Sequence, residues 1–574
     1  MRFGEQDTAP PASRLANEVA PAVADAFEAH QRAFGAITRR ARARFAAADW
    51  TGAVDDAVER LDLYARSIDG IEGTIRRALG ERVRDELVWA AMKAVYSGRV
   101  AGRHDREIAE TFFNSVTRRV FATAGVNAEI EFVETDFDLP PPRTRRVCRT
   151  YRGGDLARLI SAVVDDSRSL APGERVDRAA RAAAERLASR VAGTVTGAEM
   201  VAEPFFRRKG AYLVGRILTN GRVLPFALAL LNEADGVVVD AVLHGEDDLS
   251  ILFSFTRSHF HVDVGPPHEL VSFLKELMPR KPVAELYIAI GYHKHGKTEL
   301  YRDLLAHLAS SDDRFEFPPG TPGLVMVVFG VPGYDVVFKV IRDEFPAMKT
   351  VTREAIRRNY RLVFRHDRAG RLVEAQEFEH LKFDRARFAP ELLTELERSA
   401  SRNVAVTNDT VIVHHAYVER RVVPLDVIVQ RAEEDEARRA VADFGRAIKD
   451  LAATNIFPGD LLPKNFGLTR NGRVVCYDYD ELGLLTEFSF RSLPQATAEE
   501  DAADEVWFGA GPRDVFPQEF SSFLGLPRDL RDVLEQRHAE LYDLAFWTQM
   551  QDRVRSGEIV DIFPYGASRR LPRG

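Results

Sequence analysis

Cysteine is nearly absent from this chain: Cys148 and Cys476 are the two among 574 residues. That excludes a disulfide framework and a cysteine-built zinc cage, and it fits a reducing compartment. Cys476 lies in an apolar strand pattern and reads as core. Long apolar runs are missing too. Nothing approaches the roughly eighteen uninterrupted apolar residues of a membrane span, and the N-terminal MRFGEQDTAPPASRLANEVA lacks the apolar stretch of a signal peptide. A cytoplasmic location is therefore expected. Positive charge is not in surplus either: a formal net charge of -8 and a pI near 6.0 argue against nucleic acid or a membrane surface as a general partner. No fixed-period repeat is present. The remainder, 45% hydrophobic and 29% charged, is the composition of a soluble globular chain with two or more domains.

The chemistry concentrates in NIFPGDLLPKNFGLTRNGRVVCYDYDE, residues 455–481. Asn471-Gly472 is a strong hairpin signal between the short apolar runs Phe466–Thr469 and Val474–Tyr477, so the chain should fold back and bring Asp478 beside Asn465. Asp460, Asn465 and Asp478 would then offer carboxylate and amide oxygens, the donors that hold Mg²⁺ together with substrate phosphates. Their D-x4-N-x12-D order is that of the protein-kinase catalytic loop and metal-binding Asp. Taken singly, each would be an ordinary polar turn residue. The hairpin, and the helix-like run Glu433–Ala453 leading into the loop, favour the site.

Upstream, Ala12–Thr123 has the three-and-four apolar spacing of a helical array, as in Val19, Val23, Phe27, Phe34 and Ile37. Its Arg39–Arg44 run reads as a solvated face. Pro140-Pro141-Pro142 interrupts, helical character resumes over Gly154–Val191, and from Glu203 the texture turns to β with Asn220-Gly221 and Asp235-Gly236 turns. His259, His261 and Asp263 alternate as metal ligands could, but without an evident fourth ligand they read as strand-face residues.

Gly291–Thr298 matches the Walker A pattern G-x4-G-K-[ST], with strand-like AELYIAI before it and helix-like KTELYRDLLAHLAS after it. Lys297 would then cradle phosphate and Thr298 hold Mg²⁺. Against a P-loop NTPase, the next strand, Gly323–Gly330, ends without a Walker B Asp. Pro318–Leu324 forms a Gly/Pro loop before strands at Val325–Val331 and Val336–Ile341, and the second strand carries Lys339 in VVFKV, as in the kinase V-A-I-K. The kinase G-x-G-x-x-G is absent. Farther on, RLVFRHDRAGRLVEAQEFEHLKF suggests a hairpin around Arg368-Ala369-Gly370 and PELLTELERSA a helix. VIVHHAYVERRVVPL suggests a strand, with structural His414 and His415, running into a hinge-like connection at Glu419–Pro424.

Together PPGTPGLVMVVF, GYDVVFKVIRDEF, the HDRAGR turn, ERRVVPL, NIFPGDLLPKNFG, VVCYDYDE and the C-terminal EIVDIFPYG resemble the isocitrate dehydrogenase kinase/phosphatase family almost end to end. The resemblance implies an α+β chain: a mainly helical regulatory domain over residues 1–310, with a β-rich part near 205–265, and a bilobal protein-kinase-like domain over 311–574. It implies a bifunctional bacterial enzyme that uses ATP and Mg²⁺ (or Mn²⁺) to phosphorylate a serine of isocitrate dehydrogenase and also removes that phosphate. Flux between the citric-acid cycle and the glyoxylate bypass is thereby controlled, with AMP as allosteric effector. A homodimer is implied by the family alone.

Carried across, the ATP loop falls on Pro318, Pro319, Gly320, Thr321, Pro322, Gly323 and Leu324, and the ATP lysine on Lys339. The catalytic-loop Asp falls on Asp460, with Asn465 and Asp478 as metal ligands. The family's active-site Asp after the HDR turn aligns with Glu374, a carboxylate one methylene longer. Asp480 is a further carboxylate for positioning water in the phosphatase reaction, and Phe488–Val506 is the candidate substrate-recognition loop. Pro458-Gly459 replaces the kinase His-Arg, Asp478-Tyr479-Asp480 replaces DFG, and no A-P-E element is present, so ligand regulation at the domain junction is expected rather than an activation-loop switch. The other classes are the P-loop NTPase on Gly291–Thr298 and a nucleotide-binding pseudokinase.

Overall fold

The computed structural model describes residues 11–134, 147–167, 174–254, 259–319, 322–347, 351–366, 368–493, 511, 513–560 and 562–572. Four helices, Ala12–Ala46, Trp50–Leu79, Glu86–Val100 and Arg106–Phe121, form the N-terminal array. Val19, Val23, Phe27 and Ile37 are buried as their spacing requires. Asp49 and Asp85 cap the second and third helices through side-chain bonds to the Gly52 and Leu87 amides. The Arg39–Arg44 run stays partly solvated, as expected, but it also pairs across elements. Arg40 and Arg44 reach Asp56 at 2.8 and 3.0 Å, and Arg42 reaches Glu203 at 3.0 Å. The run is a seam of cross-element ion pairs around a buried Asp56, which sequence spacing on one helix cannot reveal.

A six-stranded antiparallel sheet follows, in the order Cys148–Arg152, Val195–Val201, Gly210–Thr219, Val223–Glu233, Gly236–His244, with Phe205–Arg207 added to Gly210–Thr219. It therefore reaches beyond the expected 205–265. Alternation serves two cores: Leu228 and Leu230 face the helices Leu156–Asp165 and Glu174–Ala188, while Ala227 and Ala229 face the helical array.

Two local expectations fail. AELYIA is helical, within Val283–Ala289, with Ile290 at its C-cap, and Gly296 and Lys297 lie inside the next helix, His293–Ser310. A Cβ on Gly296 would sit 2.5 Å from the Ala284 carbonyl oxygen, so this glycine permits close helix contact and no phosphate loop exists. Ala284, Leu286, Tyr287, Ile288 and Ala289 are all buried, so this short helix is apolar nearly all round, and a short apolar run does not distinguish that from a strand. Likewise RLVFRH belongs to the helix Arg353–His366, so no hairpin forms around Arg368–Gly370; only the second half, Ala375–Asp384, is a strand.

The C-terminal half has two parts. A five-stranded antiparallel sheet runs Val404–Val406, Thr410–Arg420, Tyr334–Ile341, Met326–Val331, with Ala375–Asp384 also paired to Thr410–Arg420. Below it the amphipathic helix Glu434–Ala453 buries Val441, Phe444, Ile448 and Leu451 against a core that includes Leu534 and Trp547 of the last helices. Arg371 ties the parts together. Buried to 2% exposure, it holds Asp443 with both guanidinium nitrogens at 2.7 and 3.0 Å, Asp450 at 2.8 Å and the Val474 carbonyl at 2.9 Å.

Candidate active site

The catalytic loop is built by its backbone. After the helix Glu434–Ala453, Ile456–Phe457 pairs with Gly483–Leu484. Gly459 has φ +80°, and a Cβ there would lie 2.4 Å from the Glu481 carbonyl oxygen. Only glycine allows the Asp460 loop to press against the chain that follows Asp478. Asp460 accepts from the Leu462 amide at 2.9 Å, and the Asn465 side-chain amide donates to the Asp460 carbonyl at 3.3 Å. With its NH2 group committed there, the Asn465 oxygen is the atom left for a cation. The expected hairpin forms: Phe466–Leu468 pairs with Val474–Cys476, closed by Gly472 at φ +70°. The Tyr477 amide donates to the Asn465 carbonyl at 3.0 Å, so Asn465 lies opposite the residue before Asp478, as the spacing required.

Lys339 reaches the same place from the sheet above. Its Nζ lies 2.8 Å from Glu419 Oε2, donates to the Tyr477 carbonyl at 2.6 Å, and sits over the Tyr477 and Tyr479 rings at 5.3 and 5.7 Å. Glu419, 1% exposed, is the partner that the sequence did not identify. Register explains the pair: Tyr417 faces Lys339 and Glu419 faces Val337, so Lys339 and Glu419 are diagonal neighbours on one face, within reach of long side chains. Burial raises the Glu419 carboxyl above its ordinary range, while Lys339 pulls it back and Asp478 adds to the rise. In protein kinases that lysine pairs with a glutamate of a helix. Here the helix in that place, Arg353–His366, supplies Asn359 and Tyr360 instead. Tyr360 donates to Glu419 Oε1 at 3.1 Å and stacks on Tyr417 at 3.6 Å. Asn359 donates to the Tyr479 and Asp480 carbonyls at 3.0 and 2.9 Å, and the Tyr479 hydroxyl to the Val373 carbonyl at 2.6 Å. The Asp478–Asp480 segment is thus held by Asn359 on one side and Val373 on another.

Of the expected ATP loop, Gly320 and Thr321 lie outside the described residues. Glu316 and Gly330 exchange both backbone bonds at 2.9 Å, so the chain leaving Glu316 returns beside it as the strand Met326–Val331, with the described residues 317–319 and 322–325 between the two, the topological position of a kinase phosphate loop. Pro322, Gly323 and Leu324 border an open depression with Arg342, Arg398 and Arg402. Pro318 and Pro319 lead into it. Glu374 is positioned differently. It accepts a hydrogen bond from Gln376 and lines a cavity between the two halves with Glu285, Arg420 and Arg470; Asp460, Asn465, Asp478 and Lys339 are not in that lining. Of Phe488–Val506, residues 494–506 lie outside the described residues. Ser489–Phe490 pairs with Asp514–Val515, and Phe490 stacks on Trp547 at 4.8 Å.

The competing sites come apart. Lys297 sits over the Phe378 ring at 4.8 Å, and burial lowers its amine to about 7. His415 bonds Glu377 at 2.8 Å, as a structural histidine would. Among the described residues no group of three or more His, Cys, Asp or Glu side chains is placed to hold a metal, His259 and His261 included. Also among them, no helix is long and apolar enough to cross a membrane.

A strand lysine on a buried glutamate, an Asp-Asn loop under it and an acidic segment at the end of a hairpin, set between a sheet-rich and a helix-rich lobe, define a protein-kinase-like phosphotransferase domain behind a mainly helical N-terminal region. Family profiles agree: the isocitrate dehydrogenase kinase/phosphatase (AceK) regulatory domain matches residues 20–312 and its kinase domain residues 313–567. An isocitrate dehydrogenase kinase/phosphatase of Anaeromyxobacter sp. (strain Fw109-5) is 49% identical over 564 residues, covering 97% of this chain and 98% of its own. One of Xanthomonas euvesicatoria pv. vesicatoria (strain 85-10) is 41% identical, over 98% of this chain and 99% of its own. The chain belongs to the isocitrate dehydrogenase kinase/phosphatase family. Among solved structures, a ROP18 kinase domain in complex with AMP-PNP and sucrose aligns over 42% of this chain and 80% of its own at 14% identity, with a TM-score of 0.20, which is too low to inform this fold.

Proposed function

We propose that this chain phosphorylates a serine of isocitrate dehydrogenase with ATP and removes the phosphate again, directing flux between the citric-acid cycle and the glyoxylate bypass. The observation that carries the reading is the convergence of Lys339, Glu419, Asp460, Asn465 and the Asp478 segment in a chain 49% identical, nearly end to end, to a relative of that name.

Asp460 accepts the serine proton, and Lys339, fixed by Glu419, neutralises ATP phosphate charge as it develops. The Asn465 oxygen and the Asp478 carboxylate form a hard-oxygen donor set suited to Mg²⁺ or Mn²⁺. When bound, the metal supplies charge neutralisation on the phosphate oxygens. Asp480, held through its backbone by Asn359, positions water in dephosphorylation. Glu374, given its surroundings, acts at the junction between the halves rather than on the transferred phosphoryl group. AMP acts as effector at that junction. We place the domain division near residue 310, with the chain cytoplasmic and homodimeric. Nucleic acid and membranes are not partners in this reading.

The test is transfer of labelled γ-phosphate from ATP to isocitrate dehydrogenase by wild type and Asp460→Ala. Label on a serine with wild type alone, released when ADP and AMP are added, supports the reading. ATP binding without transfer to any protein would favour the pseudokinase instead.

A further inference from the structure

A second cationic pocket lies away from the catalytic cleft, where three segments of both halves converge. Phe206, Arg207 and Arg208 come from the edge of the N-terminal sheet, His259 and His261 from the loop beside it, and Arg365 and Arg368 from the end of the helix Arg353–His366; Ala57 and Leu61 form the opposite wall. The lining acid is Asp56, whose two oxygens already accept from Arg40 and Arg44 at 2.8 and 3.0 Å. Four arginines therefore line the space with no uncommitted carboxylate in the lining; Arg365 also lies 3.5 Å from Asp62 just outside it, and Arg207 donates to the Leu252 carbonyl at 2.7 Å. His261, 6% exposed, has its Nε2 buried without a hydrogen-bond partner, while its backbone exchanges bonds with Phe206 at 2.8 and 2.9 Å, fixing the ring at the pocket wall. A buried nitrogen without a partner marks a hydrogen-bonding position that the protein itself does not fill. The enclosed space is about 50 Å³, against the roughly 10–15 Å³ that one water needs. It seats a head group of a few atoms.

We infer that this pocket binds a compact phosphoryl group, as free phosphate or on a small metabolite. Donors arriving from three separate segments suit a tetrahedral anion better than a planar carboxylate, which offers two oxygens in one plane. Arg208 already bridges the halves, donating to the Arg368 carbonyl at 2.5 Å. Bound phosphoryl would tighten that bridge at the end of the helix whose Asn359 and Tyr360 hold the Asp478–Asp480 segment and Glu419. This coupling rests on the kinase reading; the binding does not.

The experiment is calorimetric titration of the full chain with inorganic phosphate, with the nucleotide site saturated by a non-hydrolysable ATP analogue and Mg²⁺. Saturable binding of one equivalent is expected, weakened about tenfold or more in Arg208→Gln, in Arg365→Gln and in the space-filling Ala57→Leu, with affinity for the ATP analogue unchanged in all three. No saturable binding to wild type, equal binding by every variant, or tighter binding of malonate than of phosphate would each overturn the inference. Loss of transfer activity with phosphate binding intact would instead refute the kinase reading.

Discussion

Glu419→Gln isolates the contact that positions Lys339. The substitution is nearly isosteric in a 1% exposed site and leaves the lysine its bond to the Tyr477 carbonyl at 2.6 Å. What is lost is the charge across the 2.8 Å pair and half the acceptor capacity facing Tyr360. Removing one partner of a fully buried pair costs about 3–5 kcal/mol. The remaining carbonyl bond offsets part of this, so a loss of about 2 kcal/mol in stability is expected, the size of one hydrogen bond to a charged group. In catalysis the freed ammonium samples positions other than the one facing ATP phosphate. At about 1.4 kcal/mol per tenfold, a 2–3 kcal/mol loss of transition-state stabilisation lowers kcat/KM for serine phosphorylation by roughly 30- to 150-fold. Urea denaturation and initial rates of label transfer measure the two effects. Wild-type kcat/KM in a stably folded Glu419→Gln chain would refute the positioning argument outright, since no other carboxylate is within ion-pair distance of Lys339 among the described residues.

The other predictions concern the junction, the loop and the discarded site. Burial pushes the Glu285 carboxyl up, but Lys281 at 2.8 Å and Arg420 at 3.1 Å outweigh it and hold it at about 2. A depressed carboxyl gives stability that is present above its ordinary value near 4.5 and lost as pH falls toward 2. That is about 2 kcal/mol, allowing for partial exposure of the side chain. Urea midpoints of wild type and Glu285→Gln should therefore converge between pH 4.5 and 2, and a constant gap across that window contradicts the account. Gly459→Ala places a methyl 2.4 Å from the Glu481 carbonyl at φ +80°, so transfer activity should drop at least tenfold while circular dichroism stays native. Lys297→Ala should leave ATP binding, read by equilibrium dialysis, unchanged, whereas Lys339→Ala abolishes it; the opposite result would restore a P-loop.

Legibility followed the range of the interaction. The Asp460–Asp478 hairpin was readable because its parts lie within twenty residues and turn on one Asn-Gly step. The helical array was readable because its period repeats over whole helices. AELYIAI misled because seven residues, all apolar or small but Glu285, carry too little period to separate a buried helix from a strand. RLVFRH misled because an adjacent Gly suggested a turn that the preceding helix end occupies. Asp56 at the centre of the arginine seam, and Glu419 diagonal to Lys339, were barely readable: each partnership depends on which elements become neighbours. Glu419 had one faint signal, its even spacing from Tyr417 on a strand that would have to lie beside Lys339.

That misplaced glutamate changes how such a site can be controlled. Where the lysine's partner rides on a mobile helix, moving the helix breaks the ion pair. Here Lys339 and Glu419 stand on adjacent strands of one sheet, locked by register, so the pair persists wherever the helix Arg353–His366 goes. What that helix does hold is the backbone of Tyr479 and Asp480 through Asn359, and one edge of Glu419 through Tyr360. A shift of the helix therefore acts on the acidic segment while leaving the lysine in place. Positioning of Lys339 and arrangement of the Asp478–Asp480 carboxylates are thus separable in this architecture.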